Sequence, residues 1–169
     1  MRIADFEERY APEVSRLILE NIQTRTSLFY RPDEIEAMKT LFTPERIIEE
    51  SKSGEMVLAL SDGEVLGSGG LAPDAEKTGR IICAYVRFDR HGERIFYALT
   101  SAVVRRAHQK GYDELWGDAV RDPLVRDIYL RIGCEEGGEI FHPVNDLQIP
   151  YLRLRGKVPV LKKNLNLTD

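Results

Sequence analysis

The sequence predicts an α/β (α+β) domain, and three stretches predict it. Ile81-Ile-Cys-Ala-Tyr-Val86 is a short apolar run rich in β-branched and aromatic residues, the composition of a buried strand. A polar break follows from Arg87 to Glu93. Beyond it Ile95, Ala98, Leu99, Ala102, Val103 and Ala107 recur at helical spacing, up to a Gly111 suited to a C-cap. Asp122-Pro123 then opens another helix, with Asp as N-cap and Pro in the first turn, and Gly133 stops it. The succession of strand, polar loop and helix also suits anion binding, because the first N–H groups of a helix have no partners within it.

From the N-terminus, residues 1–8 are compatible with a short strand that Asp5, Glu7 and Glu8 weaken. After Pro12 a helix is predicted, with Val14, Leu17, Ile18 and Ile22 on one face. The broken, polar stretch from Asn21 to Pro32 reads as a loop, and Ile35, Met38 and Leu41 mark a second helical stretch. Thr43-Pro44 forms an N-cap and first-turn pair for a helix ending near Gly54. Strands are predicted from Met56 to Leu60 and from Glu64 to Leu71, joined at Asp62-Gly63, a dipeptide suited to a tight hairpin. Leu115 to Val120 is a further strand, and 139–143 with 147–154 a final pair. The last residues, 157–169, are expected to be loosely ordered.

At 169 residues, 43% hydrophobic and 31% charged, the chain has the make-up of one folded domain with a sizeable core. A net charge of −4 and a pI near 5.5 argue against a general nucleic-acid binder. No apolar run reaches the roughly 20 residues that span a bilayer, and the first residues lack the apolar core of a signal peptide, so a cytoplasmic protein away from membranes is expected. Cys83 and Cys134 have neither metal nor disulfide spacing, and His91, His108 and His142 lie too far apart in sequence to suggest zinc, so no metal is expected. Gly67-Ser-Gly-Gly-Leu-Ala72 imitates a dinucleotide-binding pattern, but Pro73-Asp74 follows where a helix is needed. These glycines instead mark a bend in a strand.

The stretch Val86-Arg-Phe-Asp-Arg-His-Gly-Glu-Arg-Ile-Phe-Tyr-Ala-Leu99 resembles the signature of the GCN5-related N-acetyltransferase (GNAT) superfamily: a strand ending in Val, a short turn, then Arg/Gln-x-x-Gly-x-Gly/Ala opening a long helix. Thr43-Pro-Glu-Arg46 with the hairpin at 55–71 resembles the family's first half. The stretch from Asp122 through Tyr129 and Gly133 to Glu136 resembles its late motif, with Asp122 at an Asn position and Cys134 at a Phe position. The resemblance covers about residues 33–142. It implies a mixed, mostly antiparallel central sheet splayed in its middle, with helices on both faces, in a single domain over 1–156.

The function implied is transfer of an acetyl (acyl) group from acetyl-CoA, as co-substrate, to the amine of a small molecule or peptide. The family holds the pantetheine arm along the splayed strand, here around Tyr85 and Val86, and wraps the pyrophosphate in the loop, here His91, Gly92, Arg94, Ile95 and Phe96. Tyr129 falls where the family places the Tyr that protonates the departing thiolate; read from helix spacing alone, it is a packed aromatic. Glu64, Asp118 and Glu93 are carboxylates near strand or loop ends, and none stands out as a base. His91 sits at the Arg/Gln position, and Arg94 and Phe96 replace the two small loop residues, so the loop departs from the family pattern. Arg94 either blocks the pyrophosphate seat or pairs with it. Two other functions therefore stay open: a binding or regulatory module without ordinary CoA binding, and an acyltransferase whose donor is carried on a protein. The latter would use a basic surface at Arg87, Arg90 and Arg94.

Overall fold

The computed structural model describes residues 1–90 and 93–168. Seven strands form one sheet in the order β1-β2-β3-β4-β5-β7-β6. In chain order the elements are β1 (Arg2–Asp5), α1 (Ala11–Thr24), α2 (Pro32–Lys39), α3 (Pro44–Ser53), β2 (Glu55–Ser61), β3 (Glu64–Ala75), β4 (Thr78–Val86), α4 (Glu93–Gln109), β5 (Glu114–Ala119), α5 (Pro123–Arg131), β6 (Glu135–Val144), β7 (Leu147–Lys157) and α6 (Val158–Asn164). Neighbouring strands are antiparallel except β4 and β5.

Helices cover both faces, and β2 records it. Met56, Leu58 and Leu60 pack beneath α1–α3, while Val57 and Ala59 pack beneath α4. A strand buried on both faces reads as a continuous apolar run, as this one does. The punctuation expected from the sequence lies where the backbone needs it. Asp62 (φ +51°) and Gly63 (φ +84°) make the β2–β3 turn, and Gly111 (φ +74°) and Gly133 (φ +98°) end α4 and α5. The Tyr112 and Cys134 N–H groups return to Ala107 O and Tyr129 O, closing the two helix ends.

Three segments differ from expectation. Much of the stretch read as a loop from Asn21 to Pro32 is helical, because α1 continues to Thr24 and a single turn follows at Thr26–Leu28. The β3–β4 hairpin extends to Ala75 and Thr78, past Pro73, which pairs with Gly79. The last segment, expected to be loosely ordered, forms α6, whose Val158 and Leu161 are buried; Asn164 donates to Ile132 O at 3.1 Å. Two apolar side chains packed against α4 supply the order that a Lys- and Asn-rich composition does not announce.

Gly67 lets α4 approach the sheet. A Cβ there would lie 2.8 Å from both Leu99 Cδ1 and Tyr85 O. Gly67→Val is expected to lower stability by about 1–3 kcal/mol through overpacking, read as a lower urea midpoint; an unchanged midpoint would mean that α4 has room to retreat.

Candidate functional site

β4 and β5 run side by side only at their starts, where Thr78, Gly79 and Arg80 pair with Glu114, Leu115 and Trp116. Beyond that point β4 stays with β3 and β5 with β7. A bulge in β4 lies within the divergent part. Ser68 opposes Tyr85 and Gly70 opposes Ile82, so Cys83 and Ala84 share the place opposite Gly69. Cys83 adopts φ +47°, and Ser68 Oγ donates to its carbonyl at 2.6 Å.

The bulge resets which face each side chain enters. Ile81 packs on the α4 side, Ile82, Cys83 and Tyr85 on the α1–α3 side, and Val86 on the α4 side again. Unbroken alternation would have put Tyr85 with Ile81. Past the bulge, Arg87 N–H donates to Leu66 O on β3 at 2.9 Å. Strand alternation therefore turns the N–H and C=O of Val86 the other way, toward an opening where β5 no longer supplies partners.

This opening is a cavity of about 700 Å³ lined from both faces of the sheet. On one face its walls come from α4 and α5. Leu124, Val125, Ile128 and Tyr129 of α5 all line it, and no residue of α5 is more than partly buried. Its apolar stripe thus faces the cavity rather than a closed core. On the other face the walls include Arg25, Phe42, Arg46 and Glu50, together with Asp118, Val120 and Tyr151.

Of the residues singled out from the sequence, Tyr85, Val86, Phe96 and Tyr129 meet at this cavity. The Tyr129 ring stands edge-on to Phe96, centroids 5.2 Å apart at 88°, so Phe96 forms wall beside Tyr129 and leaves the cavity open. Burial pushes the Tyr129 phenol above its ordinary pKa. Tyr85 packs edge-on to Phe42 at 5.6 Å, and burial raises its phenol as well. Ile95 is buried in the core beneath α4 and does not line the cavity. Arg94 is exposed and makes no ion pair among the described residues, whereas Arg87 is held by Asp89 (2.7 Å) and Glu64 (3.3 Å). His91 and Gly92 lie outside the described residues.

Burial pushes the Cys83 and Cys134 thiols up to about 12, which keeps both protonated at neutral pH and makes them small apolar groups rather than nucleophiles. Of the three carboxylates singled out, Glu64 sits at the exposed hairpin end, away from the cavity, and the Glu93 side chain lies outside the described residues. Asp118 lines the cavity, but both its oxygens are engaged. Arg153 donates to them at 2.7 and 2.8 Å, and His142 Nε2 lies 2.6 Å from Oδ2. Burial acts to raise the Asp118 carboxyl, yet the bonds from Arg153 and His142 outweigh it and hold the group below its ordinary pKa.

The sequence did not point to Arg25, Arg153 or His142. Arg25 grips Asp122 with two bonds, at 2.5 and 2.8 Å, across a separation of 97 residues. Asp122 is 1% exposed and also caps α5, accepting from Leu124 N–H at 2.9 Å. Arg80 holds Glu50 at 2.6 Å. Among the described residues, no three His, Cys, Asp or Glu side chains are placed to hold a metal ion, and no helix is long and apolar enough to cross a membrane.

No protein-family model and no curated protein matches the chain in sequence. Solved structures do match in fold. A GCN5-related N-acetyltransferase from Rhodopseudomonas palustris is 14% identical with a TM-score of 0.79, over 92% of this chain and 94% of that one. The PaiA N-acetyltransferase from Thermoplasma acidophilum, solved in complex with coenzyme A, is 14% identical with a TM-score of 0.72, over 93% and 99%. A GNAT-superfamily phosphinothricin acetyltransferase from Sinorhizobium meliloti, solved in complex with AcCoA, is 14% identical with a TM-score of 0.68, over 92% and 87%. The splayed seven-stranded sheet, covered on both faces, is the GNAT fold.

Proposed function

We propose that the protein is an N-acyltransferase that moves an acetyl group from acetyl-CoA to the amine of a small molecule or peptide. The observation that carries this reading is the cavity between β4 and β5, with the unpaired edge of β4 along one side and the apolar face of α5 along another. An extended arm bearing amide groups, as pantetheine does, fits such an edge: its amides take the hydrogen bonds that β5 no longer supplies, and its methylenes lie on the apolar wall. Neighbours of the same fold solved with CoA or AcCoA support the choice of donor.

The acetyl group then lies inside the cavity, and the acceptor enters from the α1–α3 side. The amine attacks the thioester carbonyl, and Tyr129, on the opposite wall, supplies a proton to the sulfur as it leaves. Asp118 is not the base in this reading, because both its oxygens are engaged.

Calorimetry with acetyl-CoA tests the proposal. Wild-type protein is expected to bind with Kd below about 1 mM, the upper end of ordinary substrate affinities. Ala119→Trp, which puts an indole into the cavity from β5, should weaken binding at least about tenfold without lowering the thermal midpoint. Absence of wild-type binding at millimolar acetyl-CoA would overturn the reading.

A further inference from the structure

On the α1–α3 side, the charges that line the cavity cancel in pairs except on one turn of α3. Arg25 grips Asp122, Arg80 on β4 holds Glu50 at 2.6 Å, and Asp118 lies in the fork of Arg153. Arg46 and Glu49 also line the cavity, and neither side chain has a hydrogen-bond or ion-pair partner among the described residues. They stand three residues apart on α3, so one free cation and one free anion share a helical turn without bonding to each other.

Helix geometry ranks the two. At about 100° per residue, Glu50 stands roughly 40° from Arg46 and roughly 100° from Glu49, with the buried Ile47 beyond Glu50 on the core side. Outward from the core the order is Ile47, Glu50, Arg46, Glu49, which sets Arg46 at the cavity wall beside the anchored Glu50 and leaves Glu49 at the rim. Arg46 is also bracketed along the strand below. Glu50 meets Arg80 near the start of β4, and Phe42, just before α3, stands edge-on to Tyr85 near its end, with ring centroids 5.6 Å apart. Arg46 falls between these two contacts, over the bulge at Cys83 and Ala84. A helical side chain leans toward the N-terminus of its helix. That lean carries the guanidinium toward the Tyr85–Val86 end, where the acetyl group lies in the reading above.

We infer that the acceptor is an amine that also carries a carboxylate, as an amino acid does, and that Arg46 is the residue that selects it; this rests on the acyltransferase reading above. A guanidinium offers a planar fork of N–H donors that meets a carboxylate with two parallel bonds. Arg25 and Arg80 already spend donors on carboxylates of the protein, so a carboxylate on the acceptor finds its open fork at Arg46. Phe42, Tyr85 and Val120 supply apolar surface for the carbon frame between the two charged ends. Glu49 is the rival anchor. An acceptor selected by Glu49 would carry a second ammonium where Arg46 demands a carboxylate.

Four amines built on one frame test the assignment. n-Butylamine ends in a methyl group; 4-aminobutyrate has a carboxylate and 1,3-diaminopropane an ammonium in its place; L-norvaline adds a carboxylate beside the amine. Thiol release from acetyl-CoA is followed with each, after subtraction of the uncatalysed rate, for wild type, Arg46→Gln, Arg46→Lys and Glu49→Gln. With kcat/KM expressed per neutral amine, wild type is expected to favour one of the carboxylated amines over n-butylamine at least about tenfold, the effect of a charge-assisted hydrogen bond. Arg46→Gln should bring that amine down to the level of n-butylamine, chiefly through KM, with acetyl-CoA affinity and the thermal midpoint unchanged. Arg46→Lys should keep part of the preference, and Glu49→Gln all of it. No preference for either carboxylated amine, a preference that survives Arg46→Gln, or a preference for 1,3-diaminopropane that Glu49→Gln removes would overturn the assignment while leaving the acyltransferase reading intact. Wild-type protein that fails to bind acetyl-CoA, or binds it and acetylates none of the four, would sink both.

Discussion

Tyr129→Phe is expected to lower kcat for acetyl transfer by about 10²-fold, the ordinary contribution of a positioned acid, and to leave acetyl-CoA affinity within about twofold of wild type. The substitution keeps the ring that stands edge-on to Phe96 and removes the hydroxyl alone. Burial raises the phenol's pKa, so the acid form is fully populated across the neutral range. The rate of the variant should then show no new ionisation between pH 6 and pH 9, because the group removed does not titrate there. A fall in kcat together with kcat/KM, with binding retained, marks an interaction made only in the transition state. An unchanged kcat would return Tyr129 to the other role its helix spacing allows, that of a wall aromatic.

The largest effect on stability is expected at Asp122. Its carboxylate accepts from the Leu124 N–H at the start of α5 and takes two bonds from Arg25, and it does so almost fully buried. Loss of an N-cap costs about 1 kcal/mol, and a charge-assisted hydrogen bond about 1.5–3 kcal/mol. Asp122→Ala should therefore destabilise by about 3 kcal/mol and lower the thermal midpoint by roughly 10 °C, at about 2–4 °C per kcal/mol for a chain of this size. Asp122→Asn retains the cap oxygen and should recover part of the loss. Thermal melts of the two variants beside Arg25→Ala decide the apportionment. Equal stability of Asp122→Ala and wild type would mean that the pair contributes nothing net, as happens when desolvation cancels attraction.

What could be read from the sequence was what one segment specifies for itself. Asp62-Gly63, Gly111 and Gly133 demand backbone conformations that few other residues adopt, so their turns and helix ends were legible. Asp122 announced its helix because the cap and the proline are neighbours in sequence. The bulge was not legible. Nothing about a cysteine asks for φ +47°, and that conformation is fixed by Ser68 from the next strand and by the register of β3. Arg25 with Asp122, and His142 with Asp118, join residues far apart in the chain, through side chains that look like ordinary surface charges until strand order and register are known. Tyr85, Val86, Phe96 and Tyr129 were legible as a group because the resembled pattern of strand, loop and helix places them together, whereas α6 lay hidden in a stretch where Lys162, Lys163, Asn164 and Asn166 interrupt the apolar residues.

The short pairing of β4 with β5 bears on mechanics. Strands β1–β4 make one plate and β5–β7 another, and within the sheet they are stitched only along the seam from Thr78 to Arg80. A ladder so brief resists twisting weakly, so the two plates are expected to rock about it more readily than a fully paired sheet would allow. A molecule lying along the free edge of β4 adds stitches where the sheet has none, and acts as a splint. Saturation with such a molecule should slow amide exchange at Val86, on the unstitched edge, far more than at Leu58, which lies deep within one plate.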